Sequence, residues 1–337
     1  MKNMKKTIGI MAMGATAIIA LQSGISCSKA ENDTADFNDG KYTLTINLDR
    51  EHGQVFTTKA ELVESNETKI NNVQIFVFNE DGKLDSYHAG TESKQIKIRC
   101  SSGKKKVISI VNAPSLSTCT DTTTLLGKTT SLSDNKIGNF VMTGRASATL
   151  PDDASVNVKV SRITARVGIK NISANFTSDG YKQLTFTINS IYMINVAGST
   201  DYALSAPQTW INQAGLKDRD LDALLYCGIN RNLSPETTLQ ANQYFYVYPN
   251  PATVDNTGTP LNTQFTKLVV EATLGDKTCY YSIKLPNIER NKAYTISSLT
   301  ITRPGTDSAD KEITSEECTF SIEVEDWISV AEQDLVI

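Results

Sequence analysis

The sequence predicts an all-β fold, and three observations carry that reading. Short segments that alternate apolar and polar residues recur from residue 42 to residue 327. Turn residues separate them at regular intervals, and almost no stretch holds a sustained 3.6-residue apolar period. The clearest unit is Asn72-Val73-Gln74-Ile75-Phe76-Val77-Phe78 followed by Asn79-Glu80-Asp81-Gly82, in which Asp-Gly is the signature of a tight hairpin turn. Many short strands with punctuating turns make sandwiches rather than helical layers.

Taken in order, the first strand is residues 42–48, where Tyr42, Leu44, Ile46 and Leu48 alternate with Thr43, Thr45 and Asn47. It ends at Arg50 in the polar stretch Asp49-Arg50-Glu51-His52-Gly53. After the hairpin come residues 83–87, 95–100 and 106–111, then a Ser/Thr-rich segment, 115–135, with a helical turn at Leu125-Leu126. Residues 140–144 and 155–160 close the first half, and Pro151-Asp152-Asp153 marks a boundary near 150–161. The second half reads as strands over 162–169, 184–188, 191–196, 244–248, 267–272, 280–285, 291–301 and 319–327. Residues 200–240 read as irregular, with a short helix near 221–225. The organisation expected is a signal segment over 1–26, a tether and first strand over 27–50, and β-sandwich domains over 51–160 and 161–337.

The start of the chain is a targeting segment. Lys2, Lys5 and Lys6 precede an apolar run over 8–21 that is short for a membrane span. Ser23-Gly24-Ile25-Ser26-Cys27 follows, which resembles a bacterial lipoprotein box with Cys27 as the acylated residue, although Gly24 stands where that box usually has Leu. Acylation adds about 0.8 kcal/mol of membrane affinity per buried CH₂.

Composition excludes several functions. The 337 residues are 39% hydrophobic and carry a net charge of −4, so no nucleic-acid partner is expected. The basic run Lys104-Lys105-Lys106 reads as solvated residues at the start of a strand. His52 and His88 are the only histidines and read as exposed, so a His-dependent triad or a His-ligated metal is not expected, and neither is any cofactor. No Gly-x-Ser-x-Gly, His-Glu-x-x-His or phosphate-binding glycine loop occurs, so no enzyme is expected. Five cysteines remain beyond Cys27, namely Cys100, Cys119, Cys227, Cys279 and Cys318, with no C-x-x-C spacing. Small apolar core positions suit most of them, and Cys100 with Cys119 is the one pair close in sequence.

Six segments together resemble the fimbrillin-like subunits of type V pili of Bacteroidetes. They are the hairpin from Val73 to Leu84, Val111-Asn112-Ala113-Pro114, Val160-Ser161-Arg162-Ile163-Thr164-Ala165-Arg166-Val167, Tyr246-Val247-Tyr248-Pro249-Asn250, Ile288-Glu289-Arg290-Asn291-Lys292-Ala293-Tyr294 and Val324-Glu325-Asp326-Trp327. The resemblance implies two tandem transthyretin-like β-sandwich domains behind a lipoprotein signal, palmitate-type lipid on Cys27 and delivery to the outer-membrane surface. It implies cutting between Arg50 and Glu51 by an Arg-specific surface protease, and polymerisation with other pilin subunits by donor-strand exchange. Tyr42, Leu44, Ile46 and Leu48 then belong to a removable strand. Phe320, Ile322, Val324 and Trp327, with Leu335 and Ile337 in the apolar tail, are the expected donor.

Arg162 and Arg166 are expected to share one strand face and to pair with carboxylates near the junction. Trp327 reads as a core plug rather than a sugar-stacking residue. An anchor or tip component of the same pilus, and a lipid-anchored glycan-binding protein using Trp210, are the competing readings.

Overall fold

The computed structural model describes residues 41–50, 64–91, 94–205, 207–213, 221–252 and 265–327. The expected signal segment and tether, Cys27, Glu51, Leu335 and Ile337 lie outside the described residues. The elements of the first half are β1 (Tyr42–Arg50), α1 (Glu64–Glu67), β2 (Asn72–Asn79), β3 (Leu84–Thr91), β4 (Gln95–Cys100), β5 (Gly103–Val111), α2 (Thr122–Leu126), β6 (Thr129–Ser131), β7 (Met142–Leu150) and β8 (Ser155–Arg162). Those of the second half are β9 (Ala165–Ala174), α3 (Asp179–Lys182), β10 (Phe186–Ile194), β11 (Val196–Asp201), β12 (Thr209–Ile211), β13 (Tyr226–Asn232), β14 (Thr238–Val247), β15 (Lys267–Leu274), β16 (Lys277–Lys284), β17 (Lys292–Ile301) and β18 (Cys318–Asp326). The all-β expectation holds.

Strands β3-β2-β5-β7-β8-β1-β4 form one seven-stranded sheet that doubles back at β7 and β8, which pair only at Met142↔Arg162 and Thr143↔Ser161. The fold-over stacks β2, β5 and β7 against β1, β4 and β8. Between the layers lie Val73, Ile75, Val77, Val107 and Met142 from one side and Leu44, Ile46, Ile96, Ile98, Val158 and Val160 from the other. Gly82 makes the β2–β3 turn at φ +83°, a conformation that costs glycine little. Asn112 also has positive φ, at +59°. Its side chain accepts from the Asn71 amide at 2.7 Å and donates to the carbonyls of Lys69 at 2.7 Å and Phe140 at 2.9 Å, so the Asn of Val111-Asn112-Ala113-Pro114 ties three chain segments together.

The opposite face of β2 is buried as well. Phe76 and Phe78, with Ile108 and Ile110 of β5, join a second cluster through Leu116, Cys119, Leu125 and Leu132. This explains why β2 reads as a nearly unbroken apolar run: it has no solvent face. The second cluster continues between sheet β13-β10-β15-β16 and sheet β14-β9-β17-β18, where it holds Ile169, Ile191, Val270, Tyr281 and Ile296. A small sheet of β12-β11-β6 also spans the halves, pairing Thr130 with Thr200 and Ser131 with Ser199.

Several expectations are corrected. Residues 200–240 are not irregular throughout: β13 pairs with β10, and β14 begins at Thr238. The sequence Tyr226-Cys227-Gly228-Ile229-Asn230-Arg231-Asn232 shows no strong strand pattern because β13 is an edge strand, half open to solvent. Residues 184–188 and 191–196 are not two strands. A bulge between Ile188 and Ser190 keeps 186–194 as one. Lys105 is not solvated, being 1% exposed between exposed Lys104 and Lys106.

Tyr248 locks the Ser/Thr-rich segment to the second half. Its hydroxyl donates to the Ser131 carbonyl at 2.8 Å, meets the Thr130 hydroxyl at 3.1 Å and accepts from the Asn135 amide at 2.9 Å. Burial drives its pKa upward, so it stays a neutral phenol. Replacing Tyr248 with Phe strands these buried partners and is expected to cost about 1–3 kcal/mol in urea unfolding. An unchanged midpoint would show that the segment is held by packing alone.

Candidate functional site

The strand that ends at Arg50 is inserted between two others. β1 runs antiparallel to β4, with Leu44↔Ile98 and Ile46↔Ile96, and parallel to β8, with Ile46↔Val156, Leu48↔Val158 and Arg50↔Val160. Leu44 and Ile46 are fully buried, whereas Tyr42 and Leu48 pack half-buried against the same core. Thr43, Thr45 and Asn47 alternate with them, as the sequence pattern requires. On the outer face Asn47 donates to Asn157 at 3.0 Å and accepts from Gln95 at 3.1 Å, giving a row of amides across three strands. Without β1 the slot would present the unpaired edges of β4 and β8 and the side chains of Ile96, Ile98 and Val158. Arg50 is half-buried at the end of β1, in a small cleft lined by Thr68, Met142, Val160, Ser161, Arg162 and Asn291.

That cleft opens beside a buried charge cluster. Glu67, at the end of α1, is 1% exposed. Its carboxylate pairs with Arg166 at 3.1 Å and accepts from the Trp327 indole at 2.8 Å and the Tyr246 hydroxyl at 2.8 Å. Burial, and then the Glu67 charge, push the Tyr246 pKa upward, which keeps the hydroxyl a donor. Arg162 donates from Nε to the Glu67 carbonyl at 2.9 Å and from Nη1 to the Trp327 carbonyl at 2.9 Å, and its guanidinium lies 4.2 Å from the Trp327 ring centroid. Phe140, Tyr246 and Trp327 pack on one another, with centroid separations of 4.6 to 5.5 Å. Arg290 clamps the β7–β8 corner from the other side, donating to the carbonyls of Ser161 at 2.5 Å and Arg162 at 3.0 Å and to the Thr143 hydroxyl at 2.9 Å.

Arg166 therefore meets a carboxylate, whereas Arg162 meets the backbone carbonyls of Glu67 and Trp327, and the two do not share a strand: β8 ends at Arg162 and β9 begins at Ala165. Sequence reasoning missed Glu67, which sits in a four-residue helix with no apolar period around it. Trp327 is 1% exposed, as a core plug would be. Phe320, Ile322 and Val324 lie in β18, an edge strand paired with β17, and Phe320 and Val324 are 38% and 49% exposed. His88 is half-buried in β3, with its pKa lowered by burial rather than left as an exposed residue. Trp210 is half-buried in β12. Cys100, Cys119, Cys227, Cys279 and Cys318 are all free thiols, so Cys100 and Cys119 are not bridged.

The chain is all-β, its first strand fills a slot between β4 and β8, and residues of three sequence motifs converge on Glu67 beside it. Residues 42–182, from β1 into the second half, match the family model described as the major fimbrial subunit protein, FimA. No curated protein matches the chain. Among solved structures, the Porphyromonas gingivalis fimbrilin FimA superposes with a TM-score of 0.65 at 16% identity, over 87% of this chain and 99% of that one. A protein of Bacteroides eggerthii, described as a candidate cell adhesion protein, gives a TM-score of 0.66 at 20% identity, over 86% of this chain and 96% of that one. The tip fimbrial protein Mfa3 of P. gingivalis, with its C-terminus truncated, gives a TM-score of 0.51 at 11% identity over 85% and 99%. At these identities the structures establish the fold, and the family match extends over residues 42–182.

Glu67→Gln tests the cluster. It leaves Arg166 without its counter-charge in a largely buried setting, and breaking such a pair costs about 3–5 kcal/mol. Chemical denaturation at neutral pH should show that loss. A change below about 1 kcal/mol, the range of exposed pairs, would show that the pair is effectively solvated.

Proposed function

We propose that the chain is a non-enzymatic structural subunit of a cell-surface fimbria, exported as a lipoprotein on Cys27 and matured at the outer-membrane surface. An Arg-specific protease cuts it between Arg50 and Glu51, and it polymerises with other pilin subunits by donor-strand exchange. The observation that carries this reading is the placement of β1. It supplies fully buried side chains and ladder partners on both edges, yet it is the first described strand and ends at an arginine. Its neighbours β4 and β8 do not pair with each other, so its slot would remain open to another strand.

Strand addition to such a slot restores hydrogen bonds and burial together. Each fully buried Leu or Ile is worth about 1.5–3 kcal/mol, so an empty slot is costly and an occupied one long-lived. While the chain is intact, β1 is tethered and refills its own slot at high effective concentration. A cut after Arg50 removes that advantage and lets a donor from a second subunit compete on equal terms. The proposed donor is the tail beyond β18, with Leu335 and Ile337 as its apolar residues. Phe320, Ile322 and Val324 are already committed to the pairing of β18 with β17. The expected division into domains at 51–160 and 161–337 belongs to the same proposal. Each half contributes its own sandwich, and the corner at Arg162 joins them.

Arg50→Ala should leave the protein uncut and monomeric, because β1 keeps the slot filled. N-terminal sequencing and electron microscopy of surface material read the outcome, and fibres formed at the normal rate by this variant would refute the gate. Truncation before Val330 should give a folded, cleaved subunit that does not extend fibres. Loss of the β circular-dichroism signal in that variant would instead assign the tail to its own subunit's fold, and fibres of normal length would remove the tail as donor.

A further inference from the structure

Lys105 carries a second kind of chemistry, away from the strand slot. It stands opposite Asn79 in the β2–β5 ladder, at the end where the β2–β3 hairpin begins. Its side chain is fully buried, and its ammonium meets three acceptors: the Asn79 side-chain carbonyl at 2.5 Å, the Ser101 hydroxyl at 2.6 Å and the Asp85 carboxylate at 3.1 Å. Asp85 is held in place by the Ser101 amide at 3.0 Å and the Ser101 hydroxyl at 2.6 Å. Asn79 and Asp85 are part-buried beside it, and Ser101 is exposed. The neighbouring Cys100 thiol is pushed up to about 11, first by desolvation and then by the Asp85 charge. An amine, a carboxamide and a carboxylate held within hydrogen-bond reach are the groups an amide-exchange reaction needs.

We propose that Lys105 and Asn79 become joined by an isopeptide bond, with Asp85 as the proton acceptor. Asp85 takes one proton from the Lys105 ammonium, leaving a neutral amine. The Lys105 Nζ lone pair attacks Cγ of Asn79 and forms the new C–N bond. The second Nζ proton passes to Nδ2, the Cγ–Nδ2 bond breaks, and ammonia leaves. Asp85 keeps the first proton, so both charges of the buried pair are neutralised, and the burial that made them costly favours the product. No oxidant, metal or further reactant enters. Escape of ammonia to solvent makes the step irreversible, and the product is a covalent rung between β2 and β5.

The test is mass spectrometry on the full-length chain, unfolded and digested with trypsin. The expected result is a branched peptide joining the Asn79 segment to the Lys105 segment, lighter than the two together by one ammonia, with cleavage after Lys105 blocked. Lys105→Arg keeps the positive charge but lacks the amine and should yield two separate peptides of full mass. Asp85→Asn should also lack the branch while remaining folded by circular dichroism. Separate peptides from the unaltered protein, with Lys105 open to acetylation once unfolded, would overturn the proposal and leave a plain ion pair. Loss of water in place of ammonia, with the link at Asp85, would overturn the assignment to Asn79. A branch surviving in Asp85→Asn would remove Asp85 as the proton acceptor.

Discussion

The Glu67 carboxylate is the constraint on which the rest of the molecule depends. One side chain from a four-residue helix receives Arg166 from β9, Tyr246 from β14 and Trp327 from the end of β18, and its backbone carbonyl receives Arg162 from β8. No two of these four residues are on the same strand. A buried ion pair is poor evidence of net stability, because an apolar replacement of similar shape can be as stable. What the cluster supplies is position. A carboxylate has two oxygens and a limited number of lone-pair directions, so it is satisfied only when all its donors arrive together. A slip of register in β9, β14 or β18 would leave a buried charge unmatched. The corner between the two sandwiches is thereby specified by polar geometry, whereas the apolar cluster that runs through it would tolerate some sliding.

The same corner bears on β1. Arg50 ends in a cleft whose walls include Ser161 and Arg162, residues that Arg290 and Trp327 hold from the other side. The slot is therefore rigid at its Arg50 end even though its occupant is a single nine-residue strand. Rigidity bears on the proposed exchange. A slot that collapsed when emptied would have to be reopened by its next strand, and the ordering cost would be subtracted from the binding. Strands β4 and β8 are kept apart by other contacts. β4 connects to β5 through the Gly103 turn, and β8 is tied to β7 at Met142↔Arg162 and to the second half through Arg162.

Much of this was legible in the sequence, because strand alternation and turn chemistry are local. The β2–β3 hairpin follows from Asp81-Gly82, and the buried face of β1 from Tyr42, Leu44, Ile46 and Leu48. What was not legible depends on neighbours distant in the chain. Lys105 lies in a run of three lysines, and only the placement of Asn79 and Asp85 shows that the middle one turns inward. Glu67 has no pattern at all, since its role is written by residues about 95 to 260 positions away. Strand β13 was missed because an edge strand needs little apolar signal. Arg162 and Arg166 read as one strand because a corner that falls between residues of strand-like character leaves no mark in periodicity.

Trp327 shows how a single motif can hold two roles apart. Its backbone amide donates to the Asn291 carbonyl at 2.9 Å, its own carbonyl accepts from Arg162, and its indole donates to Glu67. All its polar groups are engaged inside the subunit, and its ring is stacked between Tyr246 and the Arg162 guanidinium. Force applied to the chain beyond residue 327 meets this set of contacts before it reaches the β17–β18 ladder. In a polymer joined through its C-terminal tail, the pull of the next subunit would thus fall first on charge-assisted hydrogen bonds at the junction of the two sandwiches. Such bonds are short and directional and are roughly twice as strong as neutral ones. Strand β18 itself, with Phe320 and Val324 open to solvent, holds one neighbour among the described residues and would peel readily if pulled alone.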